Sequence, residues 1–328
     1  MILILSFFGY EQCTDPVIDW LLYYKAPFLK LTQQDLYDSS KVSIDITNRR
    51  IIFNGVDLIK EVRCVYFRRF EDNINLNLRS GYPMSQALFE LKYELNDLIK
   101  HIFFLLKEKI WFPAPYNVSI DKLTSILYAQ DCGLKVPKCL ISNNKQDLVN
   151  FLSKYPSSII KPIRFSGYYI MRDTTYNVYT NSISVEDITQ LECDIFFPSL
   201  IQEKVNKDFE IRAFYLDGNI YASAIIVDDK NYDDVKRIFG SEHIRWIPFK
   251  FPYEIENKIK LFMNKLSLNT GSLDIIKTVD GEFTFIEVNP VGQFMAPSNR
   301  CNFDLEKLIA KWLIKNGTRQ YLLQRRTS

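Results

Sequence analysis

The apolar positions of this chain switch between strand and helix spacing in blocks, and each block predicts an element. Residues 1–8 form one continuous apolar run of strand length that stops at Gly9. Helical spacing follows over 15–24, then a short strand-like run at 28–31 and two alternating runs, 42–46 and 50–53, beside Asn54-Gly55. The run 64–69 predicts a further strand, and 84–107 a long amphipathic helix with apolar residues three and four apart. Trp111, Phe112, Pro113, Ala114 and Pro115 make a proline-marked boundary. Beyond it, Ser119 is positioned to cap a helix running to Gly133, followed by a strand at 138–141, a helix at 144–154 and a strand at 158–161. From Pro198 the pattern is mostly strands and hairpins, with helices at 253–266 and 304–315. The expected organisation is an N-terminal α/β section over 1–112, two further sections over 113–197 and 198–316, and a basic tail over 317–328, with no internal repeat.

Composition narrows the function. At 328 residues, with 47% hydrophobic and 24% charged residues, the chain is long enough for two or three packed units. The net charge of +2 gives no global field for nucleic acid or an anionic membrane. The opening apolar run lacks a basic flank and a cleavage site, and no apolar stretch reaches the roughly 20 residues of a membrane helix, so a cytoplasmic protein is expected. Six scattered cysteines and two histidines leave little for a zinc site, a disulfide framework or a Ser-His-Asp triad.

The segment 272–290 carries the candidate chemistry. Alternation reads 272–279 as a strand, Asp280-Gly281 as a hairpin turn and 283–288 as the return strand, so that Asp274, Glu287 and Asn289 can converge. Three oxygen-bearing side chains suit magnesium, which takes a few protein oxygens and fills its octahedron with water and phosphate oxygens. Alone, the hairpin favours a plain structural role, since Asp-Gly turns are common and a strand carboxylate is usually solvated. Other segments add to it. Lys122 and Lys161 are point charges suited to phosphate oxygens. Residues 200–205, with Gln202, Glu203, Lys204 and Val205, read as a strand and linker whose backbone groups can meet an adenine ring. A hairpin about Asp217-Gly218 points Glu210 and Arg212 to one face.

In this order and spacing, the segments resemble the ATP-grasp ligases over about 117–315. Among these, the chain is most similar to the branch that includes the enzyme adding glutamate to a ribosomal protein and the peptide maturases that build graspetides such as microviridins. The signposts are Asp121-Lys122-Leu123, Lys161-Pro162, Gln202-Glu203, Glu210-Ile211-Arg212, Leu273-Asp274 and Glu287-Val288-Asn289-Pro290. The resemblance implies an α/β protein of ATP-grasp fold behind a small pre-ATP-grasp domain, using ATP and Mg2+. It implies Lys122 and Lys161 on phosphates, residues 202–205 at adenine, and Asp274, Glu287 and Asn289 on metal, with Asn289 also near the nucleotide. Arg212, Lys161 and Glu210 become the catalytic candidates. The segment Val65-Tyr66-Phe67-Arg68-Arg69 resembles a Tyr/Trp-x-Arg-Arg strand in the maturases of grasp-with-spasm systems, which adds Arg68 and Arg69 to Glu210 and Arg212 as substrate candidates; Arg245 is a further substrate candidate. An isolated Arg-Arg is otherwise usually two solvated side chains.

One departure stands out: after Lys161, where the family carries a glycine-rich phosphate flap, this chain has a single Gly167 among Phe165, Tyr168 and Tyr169. The implied activity is phosphorylation of a carboxylate of a precursor peptide, leader plus core, followed by side-chain ester or amide crosslinking. A ligase adding an amino acid to a protein or small-molecule carboxylate, a non-catalytic binding module, and a homodimer all stay open. A neighbouring gene for a short precursor would separate the first two readings.

Overall fold

Strand β1 (Ile2–Ser6) is buried at every position, as a strand flanked on both faces must be. The computed structural model describes residues 1–37, 41–70, 85–164, 168–171, 174–177, 180–227 and 244–318. Contacts divide it into two compact units, Met1–Val118 with Gln293–Ser328, and Ser119–Gly292. The first unit continues with α1 (Asp15–Tyr23), β2 (Phe28–Thr32), α2 (Gln33–Tyr37), β3 (Val42–Asp45), β4 (Arg50–Phe53), β5 (Val56–Asp57), α3 (Leu58–Glu61), β6 (Cys64–Phe67), α4 (Ser85–Leu105) and β7 (Ile110–Phe112). Its main sheet has the order β2-β1-β6-β7 and is parallel throughout. Strands β3, β4 and β5 form a separate antiparallel sheet. The proline-marked boundary seen in the sequence is therefore preceded by a buried edge strand, in which Trp111 and Phe112 serve the core.

The second unit opens with α5 (Lys122–Asp131), two residues later than Ser119 capping would set it. The cap is Asp121, whose carboxylate accepts from the Leu123 and Thr124 amides at 2.9 Å each. Then come β8 (Cys139–Asn144), α6 (Lys145–Lys154), β9 (Ser158–Lys161), the hairpin β10 (Tyr168–Met171) and β11 (Thr174–Asn177), β12 (Asn181–Ile183), α7 (Val185–Thr189) and β13 (Ile195–Glu203). Strands in the order β12-β9-β13-β8 form one antiparallel sheet, with Ile201 packed on Leu148 and Leu152 of α6 and Ile188 of α7. A second antiparallel sheet, β16-β15-β14-β17-β18, comprises β14 (Lys207–Leu216), β15 (Asn219–Val227), β16 (Ile244–Phe249), β17 (Thr270–Thr278) and β18 (Phe283–Asn289), with α8 (Tyr253–Lys265) between β16 and β17. One face of this sheet presents Ile211, Ala213, Leu273, Ile275 and Phe285 to Ile126 and Ala129 of α5 and Ile259, Phe262 and Met263 of α8.

The chain then returns to the first unit as α9 (Met295–Cys301) and α10 (Leu305–Gly317). Helix α10, grouped by sequence with the C-terminal section, packs on α1, β1 and β6, and brings Gly317 so close that a Cβ there would lie 2.5 Å from Ile2. Residues 319–328, most of the expected basic tail, lie outside the described residues. Among the described residues no helix is long and apolar enough to cross a membrane.

An ion pair sits inside this unit. Arg68 and Glu11 are each 2% exposed, with Nε and Oε2 3.3 Å apart, and Oε2 also accepts from the Cys13 amide and the Thr14 hydroxyl. The guanidinium lies 5.8 Å from the centre of the Phe294 ring. Burial pushes the Glu11 carboxyl up, but the Arg68 charge and the hydrogen bonds from Thr14, Arg68 and Cys13 together hold it below its ordinary value. Removing the carboxylate strands a buried cation, so Glu11→Ala is expected to cost about 3–5 kcal/mol in denaturant unfolding at pH 7. A depressed folded-state pKa stabilises above the unfolded carboxylate pKa of about 4.3 and is lost as pH falls through the folded value. Stability should therefore fall more steeply in acid for the native chain than for Glu11→Gln; equal slopes would show that the pair contributes nothing.

Candidate active site

Three neighbouring strands and one helix start carry a line of charged side chains. Arg212 on β14 pairs in register with Asp274 on β17, which pairs with Glu287 on β18. Register partners in an antiparallel sheet share a face. Simple alternation along β18 would put Glu287 on the same face as Phe283 and Phe285, in the core with α8. A register shift prevents this: Ile275 pairs with Phe285 and Asp274 with Glu287, so Ile286 is an extra residue. This β-bulge leaves Phe285 buried in the core and turns Glu287 and Asn289 to the opposite face, beside Asp274 and Ser272.

The line is charge-balanced. Arg212 Nη2 donates to Asp274 Oδ2 at 3.1 Å. Its Nε lies 2.5 Å from Oδ1 but, though buried, makes no hydrogen bond among the described residues, so only one bond of the fork is made. Glu287 Oε2 lies 3.3 Å from Nζ of Lys122, the first residue of α5. All four side chains remain partly exposed, between 19% and 28%. Asn289 Oδ1 accepts from the Gly292 amide at 3.1 Å. Gly292, at φ +33°, is pressed so close that a Cβ would lie 2.6 Å from Ser272 Oγ and 2.7 Å from its amide nitrogen, so only glycine closes this turn beneath Asn289.

On the other sheet of the unit, Lys161 pairs with Leu200 and Gln202 with Ile159, which puts Lys161 and Gln202 on the face away from α6 and α7. Gln202 is 2% exposed and its Oε1 is buried with no partner among the described residues. The amides of Glu203 and Lys204 are already used, donating to the carbonyls of Lys138 and Ser157 at 2.8 and 2.9 Å, so they do not offer the free N–H edge expected of residues 202–205. Glu203 Oε2 accepts from the Lys138 amide at 3.3 Å. Glu210 shares the Arg212 face, as expected, and is paired with Lys207 at 2.9 Å, a partner the sequence reading did not single out. Arg245 is not brought to this line. Its register partner Ile226 puts it on the helix-bearing face of β16, where it is exposed. Arg68 and Arg69 belong to the other unit, Arg68 being the buried ion-pair member rather than a solvated side chain. Residues 165–167 of the expected phosphate flap lie outside the described residues.

Asp274, Glu287 and Asn289 present hard oxygen donors on one face, which fits magnesium. Among the described residues no three His, Cys, Asp or Glu side chains gather as a metal cage; magnesium itself needs only a few protein oxygens and completes its shell with phosphate and water. The Gln202 oxygen, without a partner among the described residues, is a buried acceptor on the Lys161 face, and it fits a ligand that donates a hydrogen bond, such as the amino group of adenine.

Comparison with solved structures identifies the architecture. The chain is similar to the macrocyclase MdnC bound with precursor peptide MdnA from Microcystis aeruginosa (TM-score 0.81, 23% identity, 96% of this chain and 99% of that one). It is also similar to the Chryseobacterium gregarium RiPP-associated ATP-grasp ligase in complex with ADP and a leader and core peptide (0.78, 19%, 96% and 95%). A third is the ATP-grasp ligase PsnB with a phosphomimetic variant of its minimal precursor, Mg and ADP (0.76, 16%, 96% and 98%). The chain thus has the fold of the ATP-grasp ligases. No protein-family model matches it, and no curated protein matches it.

Gly292→Ala should lower stability by about 1–3 kcal/mol, because the new methyl meets the Ser272 backbone as well as its hydroxyl. Thermal unfolding at the native midpoint would show that the turn tolerates a side chain.

Proposed function

We propose that this protein is an ATP-dependent ligase that activates Asp or Glu side chains of a ribosomal precursor peptide and joins them to hydroxyl or amine side chains of the same peptide. The observation that carries this reading is the Arg212–Asp274–Glu287–Lys122 line on the polar face of the five-stranded sheet, in a fold whose solved examples include complexes with ADP, Mg and precursor peptides. In this reading Lys122 and Lys161 hold phosphate oxygens, the β13 end with Gln202 meets adenine, and Arg212 holds the carboxylate to be activated. Asp274, Glu287 and Asn289 would hold magnesium, which neutralises phosphate charge when bound. Glu210, kept near Arg212 by its strand and paired with Lys207, is placed to receive the proton of the attacking hydroxyl or amine.

The chemistry balances without a protein nucleophile. A carboxylate oxygen attacks the γ-phosphorus and ADP departs; the hydroxyl or amine then attacks the acyl carbon and inorganic phosphate departs. The peptide loses one water per bond. Alignment and charge neutralisation are what the protein must supply, and the line of charges offers both. We place the protein in the cytoplasm, where ATP is abundant and its six free cysteines stay reduced.

Glu287→Gln should abolish ADP formation while leaving the unfolding midpoint within a few degrees of the native value, since the position is polar and partly exposed. Co-expression with a short acidic precursor encoded nearby, followed by intact mass, should show losses in steps of one water that vanish in this variant. An unmodified precursor beside rapid ligation of free amino acids would favour the small-molecule alternative.

Lys161→Ala is expected to weaken ATP binding about tenfold or more, because an ammonium beside phosphate acts on ground and transition states alike. Unaltered affinity by calorimetry would remove Lys161 from the nucleotide site.

A further inference from the structure

The four charged side chains of the line pair with one another, and this constrains how ligands enter. Asp274 and Glu287 are directly opposed carboxylates, an arrangement that is destabilising unless compensated. Arg212 and Lys122 compensate it, one on each carboxylate, and bring the line to zero net charge. A divalent cation alone would have to displace two resident cations and then face them as like charges at close range. An anion alone would draw a cation away and leave a carboxylate bare. An anion and a metal together give each displaced group a new partner, the anion taking the displaced cation and the metal the bared carboxylate.

The Arg212 end adds a specific preference. Its guanidinium makes one hydrogen bond to Asp274, through Nη2, while the buried Nε–H makes none among the described residues. A second carboxylate offered in the plane of the guanidinium can make the two parallel bonds that Asp274, fixed on a neighbouring strand, does not. Exchange is therefore favourable for Arg212, provided something else takes Asp274.

We propose that Arg212 acts as an exchangeable counterion: it holds Asp274 until the carboxylate of an acidic substrate takes its place, and the released Asp274 then completes the divalent-cation site. This rests on the proposed function and goes beyond it. Substrate carboxylate and metal become thermodynamically coupled ligands, each raising the affinity for the other by the same factor. ATP without an acidic substrate meets a metal site short of one carboxylate, which limits phosphoryl transfer to water.

The test is Mn2+ binding to the full chain in the presence of ADP, read as loss of the free-ion electron paramagnetic resonance signal, with and without N-acetylglutamate amide as the carboxylate probe. In the native protein the probe should tighten Mn2+ binding about tenfold, a typical coupling. Arg212→Gln should bind Mn2+ as tightly without the probe as the native protein does with it, and should no longer respond to the probe. Asp274→Asn should bind the probe more tightly than the native protein, measured by calorimetry without metal, because Arg212 is no longer occupied. Native Mn2+ affinity indifferent to the probe, or lost Mn2+ binding in Arg212→Gln, would overturn the exchange while leaving the ligase reading intact. Failure of every variant and the native chain to bind ADP would overturn the ligase reading itself, and the exchange with it.

Discussion

The bulge at Ile286 is the constraint on which the site depends. A strand whose side chains alternate strictly cannot bury Phe283 and Phe285 against α8 and also turn Glu287 and Asn289 to the polar face. One extra residue resolves the conflict, because each side of it keeps its own alternation. The apolar half of β18 anchors the strand, and the polar half inherits a fixed orientation from that anchor. Lys135, whose carbonyl accepts from the Phe285 amide at 2.8 Å, pins the backbone immediately before the bulge. Core packing thus sets where the carboxylates stand.

Charge balance is the second consequence of that geometry. Register forces Arg212, Asp274 and Glu287 into one line, and Lys122 reaches its end from the start of α5, where Asp121 sets the first turn. The Asp121 carboxyl is held below its ordinary value, chiefly by hydrogen bonds from the Thr124 amide and hydroxyl, and it keeps the cap acidic. A lysine at the positive end of a helix is unfavourable by dipole, so its placement there needs another reason; the Glu287 carboxylate 3.3 Å away provides one. The first unit treats charge differently. Arg68 and Glu11 are sealed from water, and their pairing serves packing at the carboxyl ends of β1 and β6.

Much of this was legible before the structure. The Asp280-Gly281 and Asp217-Gly218 hairpins, the strand at 158–161 and the convergence of Asp274 with Glu287 followed from turn chemistry and spacing. The bulge did not, since period-two reasoning at 283–289 reaches the shared face of Glu287 and Asn289 but places the phenylalanines on it too. Strand β16 carries no clear signal in the sequence because Arg245 and Pro248 interrupt a short run, and so the face on which Arg245 stands, opposite to that of Arg212, is visible only in the register. The burial of Arg68 was illegible because its partner, Glu11, lies 57 residues away in a loop with no periodic signal. Gly292 looked like any loop glycine; only the Ser272 atoms beneath it show why nothing larger fits.

A fold shared at 23% identity and a TM-score of 0.81 fits this division of labour. Cores accept many apolar side chains if volume and pattern are kept, so Ile211, Leu273 or Phe262 carry little information about chemistry. The charge line is less forgiving. Exchanging Arg212 for lysine keeps the charge but loses the planar fork, and shifting β18 by one residue would bury both of its acidic and amide groups. A ligase of this fold can therefore drift widely in sequence around a small set of positions whose register, more than their surroundings, decides what the protein can bind.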